Sequence, residues 1–202
     1  MIPLPTLGAS IPRTHGALAA GFGRWILTIA GWRIEGAFPD VPKMMLIVVP
    51  HTSNWDFFVG LMAKFALRLE CRFMAKDSLF WWPLGAFLRQ MGGIAIDRTA
   101  ADGVVMGSVR AYRDRERLIL VITPEGTRSR VERWKSGFHR IARAAGVPIV
   151  LAVFDYSRKV VQLGPAFDAS ADYDGDLAAM QAHISAAMAK HPARYGQGRG
   201  LK

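Results

Sequence analysis

The stretch MMLIVVPHTSNWDFFVGLMAKFAL, residues 44–67, decides how the chain folds. Its first six residues are continuously apolar, which is the pattern of a strand covered on both faces. After the polar segment at 50–56, Phe58, Leu61, Met62 and Phe65 recur at spacings of three and four and lead to Leu69. That periodicity predicts a helix with one apolar face. A buried strand that passes through a short polar turn into a helix is the repeating unit of a layered α/β protein.

The same alternation continues outward. CRFMA (71–75), GIAI (93–96), LILVIT (118–123), PIVLAVF (148–154) and KVVQLG (159–164) read as further strands. Phe138, Ile141, Ala142 and Ala145 form a second helical stripe, closed by Gly146 and followed by Pro148. Leu177, Met180, Ile184 and Met188 form a third, stopped by Pro192. RAYRDRER (110–117) reads as a solvated helix end. The prediction is a single layered α/β domain with a mostly parallel central sheet flanked by helices. An amphipathic helix precedes it. Three parts follow: an N-terminal segment (1–35), the main domain (36–192), and a flexible basic tail (193–202).

Upstream, Leu18, Phe22, Trp25, Ile29 and Trp32 lie on one helical stripe. Arg24 interrupts the apolar run, so a membrane span is not expected. Two placements suit such a stripe: the interface of a membrane, or the domain's own core. Pro3, Pro5 and Pro12, with little early charge, do not make a cleavable signal. A second aromatic-rich stretch, SLFWWPLGAFLRQMGG (78–93), carries Trp81 and Trp82 beside basic residues, as at headgroup depth.

Charge narrows the partners. Lys and Arg number 26 against 16 Asp and Glu, a net +10. Such a chain seeks an anionic membrane surface, phosphate-bearing substrates or nucleic acid. No RNA-binding signature is present and the basic residues are distributed, so nucleic acid is not expected. The single cysteine, Cys71, cannot form an internal disulfide and reads as a buried thiol in a reducing compartment. No third ligand accompanies His51 and Asp56 at a diagnostic spacing, so no metal is expected. GFGRWI (21–26) follows no strand and is not a dinucleotide loop.

In open α/β sheets, functional residues gather at the carboxyl ends of strands. Three polar clusters fall there: His51 to Asp56, Asp97–Arg98, and Pro124 to Arg130. Ser53 suits a helix N-cap, with Asp56 at the position of a capping-box acid. Asp56 equally suits a carboxylate that fixes the His51 tautomer, leaving Nε2 to take a proton. Arg98 offers a fork for a phosphate or carboxylate. Gly126 lets the backbone approach a ligand, beside Glu125 and the donors Thr127, Arg128 and Ser129.

Taken together and in order, HTSNWD, GGIAIDR, TPEGTRS and GVPIV resemble the glycerolipid acyltransferase family, which includes 1-acylglycerol-3-phosphate acyltransferases. The likeness runs from about residue 44 to 154, and WKSGFHRIA (134–142), with Lys135, extends it. Pro50, Ala95 and Leu151 depart from common family residues, while the histidine, aspartate, arginine and glutamate stand. The resemblance implies His51 as general base and Asp56 as its orienting partner. It places the acceptor at Arg98, Glu125, Gly126, Thr127 and Arg128; Ser53, Lys76, Ser129 and Lys135 are supporting candidates beside these clusters, Lys76 toward anionic headgroups. It implies an acyltransferase without a bound cofactor that uses acyl-CoA or acyl carrier protein as donor. The acceptor would be a membrane lipid, met peripherally at the cytoplasmic face. No G-x-S-x-G elbow occurs, and direct attack by the acceptor hydroxyl needs none. Backbone N–H groups at the helix start are expected to face the oxyanion. Two other readings remain: a thioester hydrolase in which His51 activates water, and a non-enzymatic basic module that binds membrane or RNA.

Overall fold

The computed structural model describes residues 1–14, 16–96 and 101–196. In chain order, the elements are α1 (Ala17–Ile29), β1 (Arg33–Gly36), β2 (Lys43–Val49), α2 (Trp55–Leu67) and β3 (Cys71–Lys76). They continue with α3 (Leu84–Gln90), β4 (Gly93–Ile96), α4 (Ala101–Arg113), β5 (Leu118–Ile122) and α5 (Gly137–Ala145). The last are β6 (Ile149–Asp155), β7 (Val160–Phe167) and α6 (Tyr173–Gln181). The strands make one sheet in the order β1-β7-β6-β2-β5-β3-β4. Every neighbouring pair is parallel except β6 and β7, which form an antiparallel hairpin. The expected α/β architecture with a mostly parallel sheet is thus the architecture found.

The sheet splits the apolar runs between two cores, because successive strand residues point to opposite faces. From β2, Met44 and Leu46 enter one core while Met45, Ile47 and Val49 enter the other. From β6, Val150, Ala152 and Phe154 go to the first, and Ile149, Leu151 and Val153 to the second. Val59, Ala63 and Ala66 of α2 and Leu27 of α1 cover the first face. Val105, Phe138, Ile141, Leu177 and Met180, from α4, α5 and α6, cover the second. Each fully buried aliphatic side chain contributes roughly 1.5–3 kcal/mol, so central strands buried on both sides anchor the domain.

The N-terminal segment is part of this core. Leu7, Ile11, Leu27, Trp32 and Ile34 pack in the same cluster as β2 and β6. Gly23 is the contact point of α1 on α2: a Cβ there would lie 2.6 Å from the Met62 carbonyl and 2.8 Å from Phe65 Cβ. Only hydrogen fits. The stripe expected at Leu18, Phe22, Trp25 and Ile29 exists, but it faces outward, with Leu18 92% exposed. Trp32 is not on it; it follows the helix and is buried against Tyr156.

Other expectations need correction. The third stripe is not one helix to Pro192: α6 ends at Gln181, and Ile184 reaches the core from the turns that follow. β1 and the body of α4 have sequence signals too short or too polar to stand out. Of residues 193–196, assigned from sequence to a mobile tail, Tyr195 and Gly196 are buried while Ala193 and Arg194 are exposed. Gly146 does end α5, in the left-handed conformation at φ 63° that a C-terminal glycine permits.

Candidate active site

Strand register brings the site together. Ile47 of β2 lies opposite Ile122 of β5, and Val49 lies opposite Val153 of β6. His51, Glu125 and Tyr156 therefore all emerge just past the carboxyl ends of three adjacent central strands.

Asp56 is 2% exposed, although it is a carboxylate in the first turn of α2. Its burial is compensated by donors. The N–H groups of Thr52 and Ser53 both donate to Oδ2 at 2.9 Å, and the Tyr156 hydroxyl donates to Oδ1 at 2.7 Å. The positive end of the helix adds to the stabilisation of its charge. His51 Nδ1 lies 3.1 Å from Oδ2, within charge-pairing range but off the line of a full hydrogen bond. The carboxylate ties down the helix start through the Thr52 and Ser53 amides, and the same oxygen faces the histidine.

The cap itself is shifted by one residue from the expected position. Asn54, not Ser53, is the N-cap of α2, and the Ser53 hydroxyl instead accepts the Trp55 N–H at 3.2 Å. The amides of Thr52, Ser53 and Trp55 are thus already engaged. Those helix-start donors, expected to face an oxyanion, are occupied in this geometry.

Glu125 is 4% exposed, and its Oε2 accepts the His51 backbone N–H at 2.7 Å. Oε1 has no partner. Burial raises its carboxyl from 4.5 to about 7, the His51 amide pulls it down, and the Asp56 charge pushes it up again. A buried carboxyl raised this far marks a candidate functional group.

The remaining sequence-selected residues form the rim. Gly126 takes φ 67° and turns the chain, with the Lys135 side chain packed over it and the Lys135 N–H donating to the Pro124 carbonyl at 3.0 Å. Thr127, Arg128 and Ser129 are exposed, and the Ser129 N–H donates to Thr127 Oγ1 at 3.2 Å. Arg128 reaches across to the side-chain carbonyl of Asn54, joining the two motif loops. Lys76, exposed at the end of β3, pairs in register with Ile96, the residue two before Arg98. Arg98 itself lies outside the described residues. Among the described residues, no three His, Cys, Asp or Glu side chains could hold a metal ion together. A cavity of about 580 Å³ lies elsewhere, lined by Arg72, Met74, Ile94, Val104 and Leu118, without His51, Asp56 or Glu125.

Tyr156, His191, Arg194 and Tyr195 contact the site from outside the family motifs. Thr52 accepts the His191 N–H at 3.2 Å and, through its carbonyl, a bond from Arg194 at 3.4 Å. Burial pushes the Tyr195 phenol up to about 12, with the nearby Glu125 charge adding to it. The strand-end rule that singled out His51 also applies to DYS (155–157) after β6; the contacts from 191–195 had no sequence signal.

Comparison with known proteins gives a family and a fold. The family described as Acyltransferase matches residues 38–154, more than half the chain. Among solved structures, the fold resembles the 1-acyl-sn-glycerophosphate acyltransferase PlsC of Thermotoga maritima. The TM-score is 0.55 at 16% identity, over 82% of this chain and 74% of that one. No curated protein matches in sequence.

Proposed function

The chain belongs to the acyltransferase family, and from that premise we propose that it acylates a lysophospholipid-type acceptor at a free hydroxyl. The best candidate acceptor is 1-acylglycerol-3-phosphate, the substrate named for the PlsC enzyme whose fold this chain resembles. The donor is an acyl thioester of coenzyme A or acyl carrier protein. One observation carries the reading: His51 Nδ1 faces a buried, fully bonded Asp56 carboxylate at the ends of the central strands.

With Nδ1 turned to Asp56, His51 Nε2 is the base. It takes the proton of the acceptor hydroxyl as that oxygen attacks the thioester carbonyl. The carbonyl electrons move to its oxygen, and then return as the carbon–sulfur bond breaks. The departing thiolate takes the proton from the imidazolium, so the histidine is regenerated. Asp56 stabilises the imidazolium between the two transfers. Glu125, with Oε1 unpartnered, accepts a hydrogen bond from the acceptor, and Arg128, Arg98, Lys76 and Lys135 supply positive charge for its phosphate. Gly126 and Thr127 shape that rim, with Ser129 beside them.

The partner surface is an anionic bilayer. Exposed apolar side chains occur on both α1 and α2, which pack together where Gly23 meets Met62 and Phe65. Phe22, Trp25, Ile29, Trp55 and Phe58 are all at least half exposed. Trp81 and Trp82, the latter 84% exposed, add aromatic surface at headgroup-seeking positions. Among the described residues no helix is long and apolar enough to cross a membrane. The proposed contact is an interfacial one, made by these exposed side chains.

The test is acyl transfer by purified wild type and His51→Ala in lipid micelles. Labelled long-chain acyl-CoA or acyl carrier protein is offered with lysophosphatidate, glycerol 3-phosphate, lysophosphatidylethanolamine or no acceptor. Label entering lysophosphatidate only with wild type supports the proposal. Label released as free fatty acid at an acceptor-independent rate would replace it with the hydrolase reading.

A further inference from the structure

Asp56 has one tie that lies outside the matched residues. Two amides and His51 share Oδ2, while Oδ1 is held by the hydroxyl of Tyr156 at 2.7 Å. With Oδ2 alone anchored, the carboxylate is free to pivot about that oxygen and swing its lone pairs away from the imidazole. A second anchor on Oδ1 removes that freedom.

Tyr156 is itself braced from three directions. Its N–H donates to the Met188 carbonyl at 2.9 Å. Trp32, from the chain entering β1, meets its ring edge-on with centroids 4.9 Å apart. Lys190 Nζ lies over the ring face, 5.5 Å from its centre. A free surface tyrosine would have none of these. Burial, and then the adjacent Asp56, push its phenol far above the usual tyrosine range, so it remains a donor. A neutral donor also suits the task. An arginine or lysine at Oδ1 would cancel the negative charge that the imidazolium needs, whereas a phenol orients the carboxylate without supplying a charge.

We propose that Tyr156 is a positioning residue of the catalytic centre, holding the plane of the Asp56 carboxylate so that Oδ2 stays aimed at His51 Nδ1. The inference rests on His51 acting as the base. It also gives the β6–β7 turn and the segment around 188–190 a part in catalysis, since both hold the tyrosine in place.

The experiment compares Tyr156→Phe with wild type, Asp56→Asn and the Tyr156→Phe/Asp56→Asn double variant, with His51→Ala alongside. Phenylalanine keeps the ring against Trp32 and removes only the hydroxyl. The expected result is a kcat lower by roughly 10–100-fold, the range carried by one hydrogen bond to a charged group, with KM nearly unchanged. In the Asp56→Asn background, the same change should do almost nothing, because the two residues act through one contact. A loss of equal size in both backgrounds overturns the proposal, as does a Tyr156→Phe enzyme with wild-type kcat. Should Asp56→Asn be too slow to measure, Tyr156→Phe decides alone. Lost kcat in a protein that still unfolds in one cooperative transition supports the role, and retained kcat refutes it. Activity surviving in His51→Ala would instead remove the base assignment on which the inference stands, whatever Tyr156→Phe does.

Discussion

Replacing Glu125 with glutamine should stabilise the protein at alkaline pH and leave it little changed at acid pH. The side chain is 4% exposed and the surrounding burial lifts its carboxyl from 4.5 to about 7. Below 4.5, folded and unfolded chains both hold the proton, and the group makes no difference. Between 4.5 and about 7 the unfolded chain has released a proton that the folded one retains, so stability falls as pH rises. Above that window the deficit is complete. The interval from 4.5 to about 7, at 1.36 kcal/mol for each pH unit, amounts to about 3 kcal/mol. Glutamine has no charge to bury, and its side-chain oxygen can still accept the His51 N–H. For a chain of this size each kcal/mol moves the unfolding temperature by about 2–4 °C. Glu125→Gln should therefore unfold roughly 6–12 °C above wild type at pH 8, and at most a few degrees above it at pH 5. Calorimetric scans of both proteins across that range decide the matter. A constant offset at all pH values, or none, would show that the buried carboxyl is not the source of the pH dependence. The same variant should lose acceptor binding, because a site kept under such strain is held there for its chemistry.

Four further outcomes are open to measurement. His51→Ala should lower kcat by at least ~10²–10⁴-fold, the range of general acid–base catalysis, in the micelle assay. Two glycines of α1 should respond with opposite sign in urea unfolding. Gly21→Ala, with nothing within 4 Å, should gain up to about 1 kcal/mol of helix propensity. Gly23→Ala should instead lose stability by roughly 1–3 kcal/mol, because its Cβ would stand 2.6 Å from the Met62 carbonyl. Trp25→Ser combined with Phe22→Ser should weaken flotation with anionic vesicles while leaving the unfolding transition in place, since both side chains are exposed. The pair His139 and Asp176, 2.8 Å apart, clasps α5 to α6. Burial pushes the Asp176 carboxyl up, but bonds from His139 and the Ser170 N–H outweigh it, and the net movement is down. That stability is present above the ordinary carboxyl value of 3.8 and fades as pH falls through the lower folded value. Wild type should therefore exceed Asp176→Asn in unfolding temperature near pH 7, and the two should converge in acid.

What the sequence by itself determined is whatever depends on local pattern. Unbroken apolar runs at 44–49, 118–122 and 149–154 specify strands that must be covered twice, and helical stripes between them specify the layers. Parallel order then puts HTSNWD and TPEGTRS at the same edge, because polar residues following such strands can emerge only at their carboxyl ends. Gly146 marked its helix end because a left-handed residue was needed there. Tertiary structure alone decided the rest. The direction of the α1 stripe was undetermined because Phe22 and Trp25 have the same periodicity whether they face a core or a bilayer. The notch at Gly23 settles it by admitting α2 only on the other side. The N-cap moved to Asn54 because Asp56 draws the Thr52 and Ser53 amides to itself. Most of all, the hydrogen bond from Tyr156 to Asp56 spans one hundred residues of chain. Periodicity reports which face of an element a residue occupies. Only the packing of α2 against the end of β6 brings a phenol and a carboxylate to 2.7 Å.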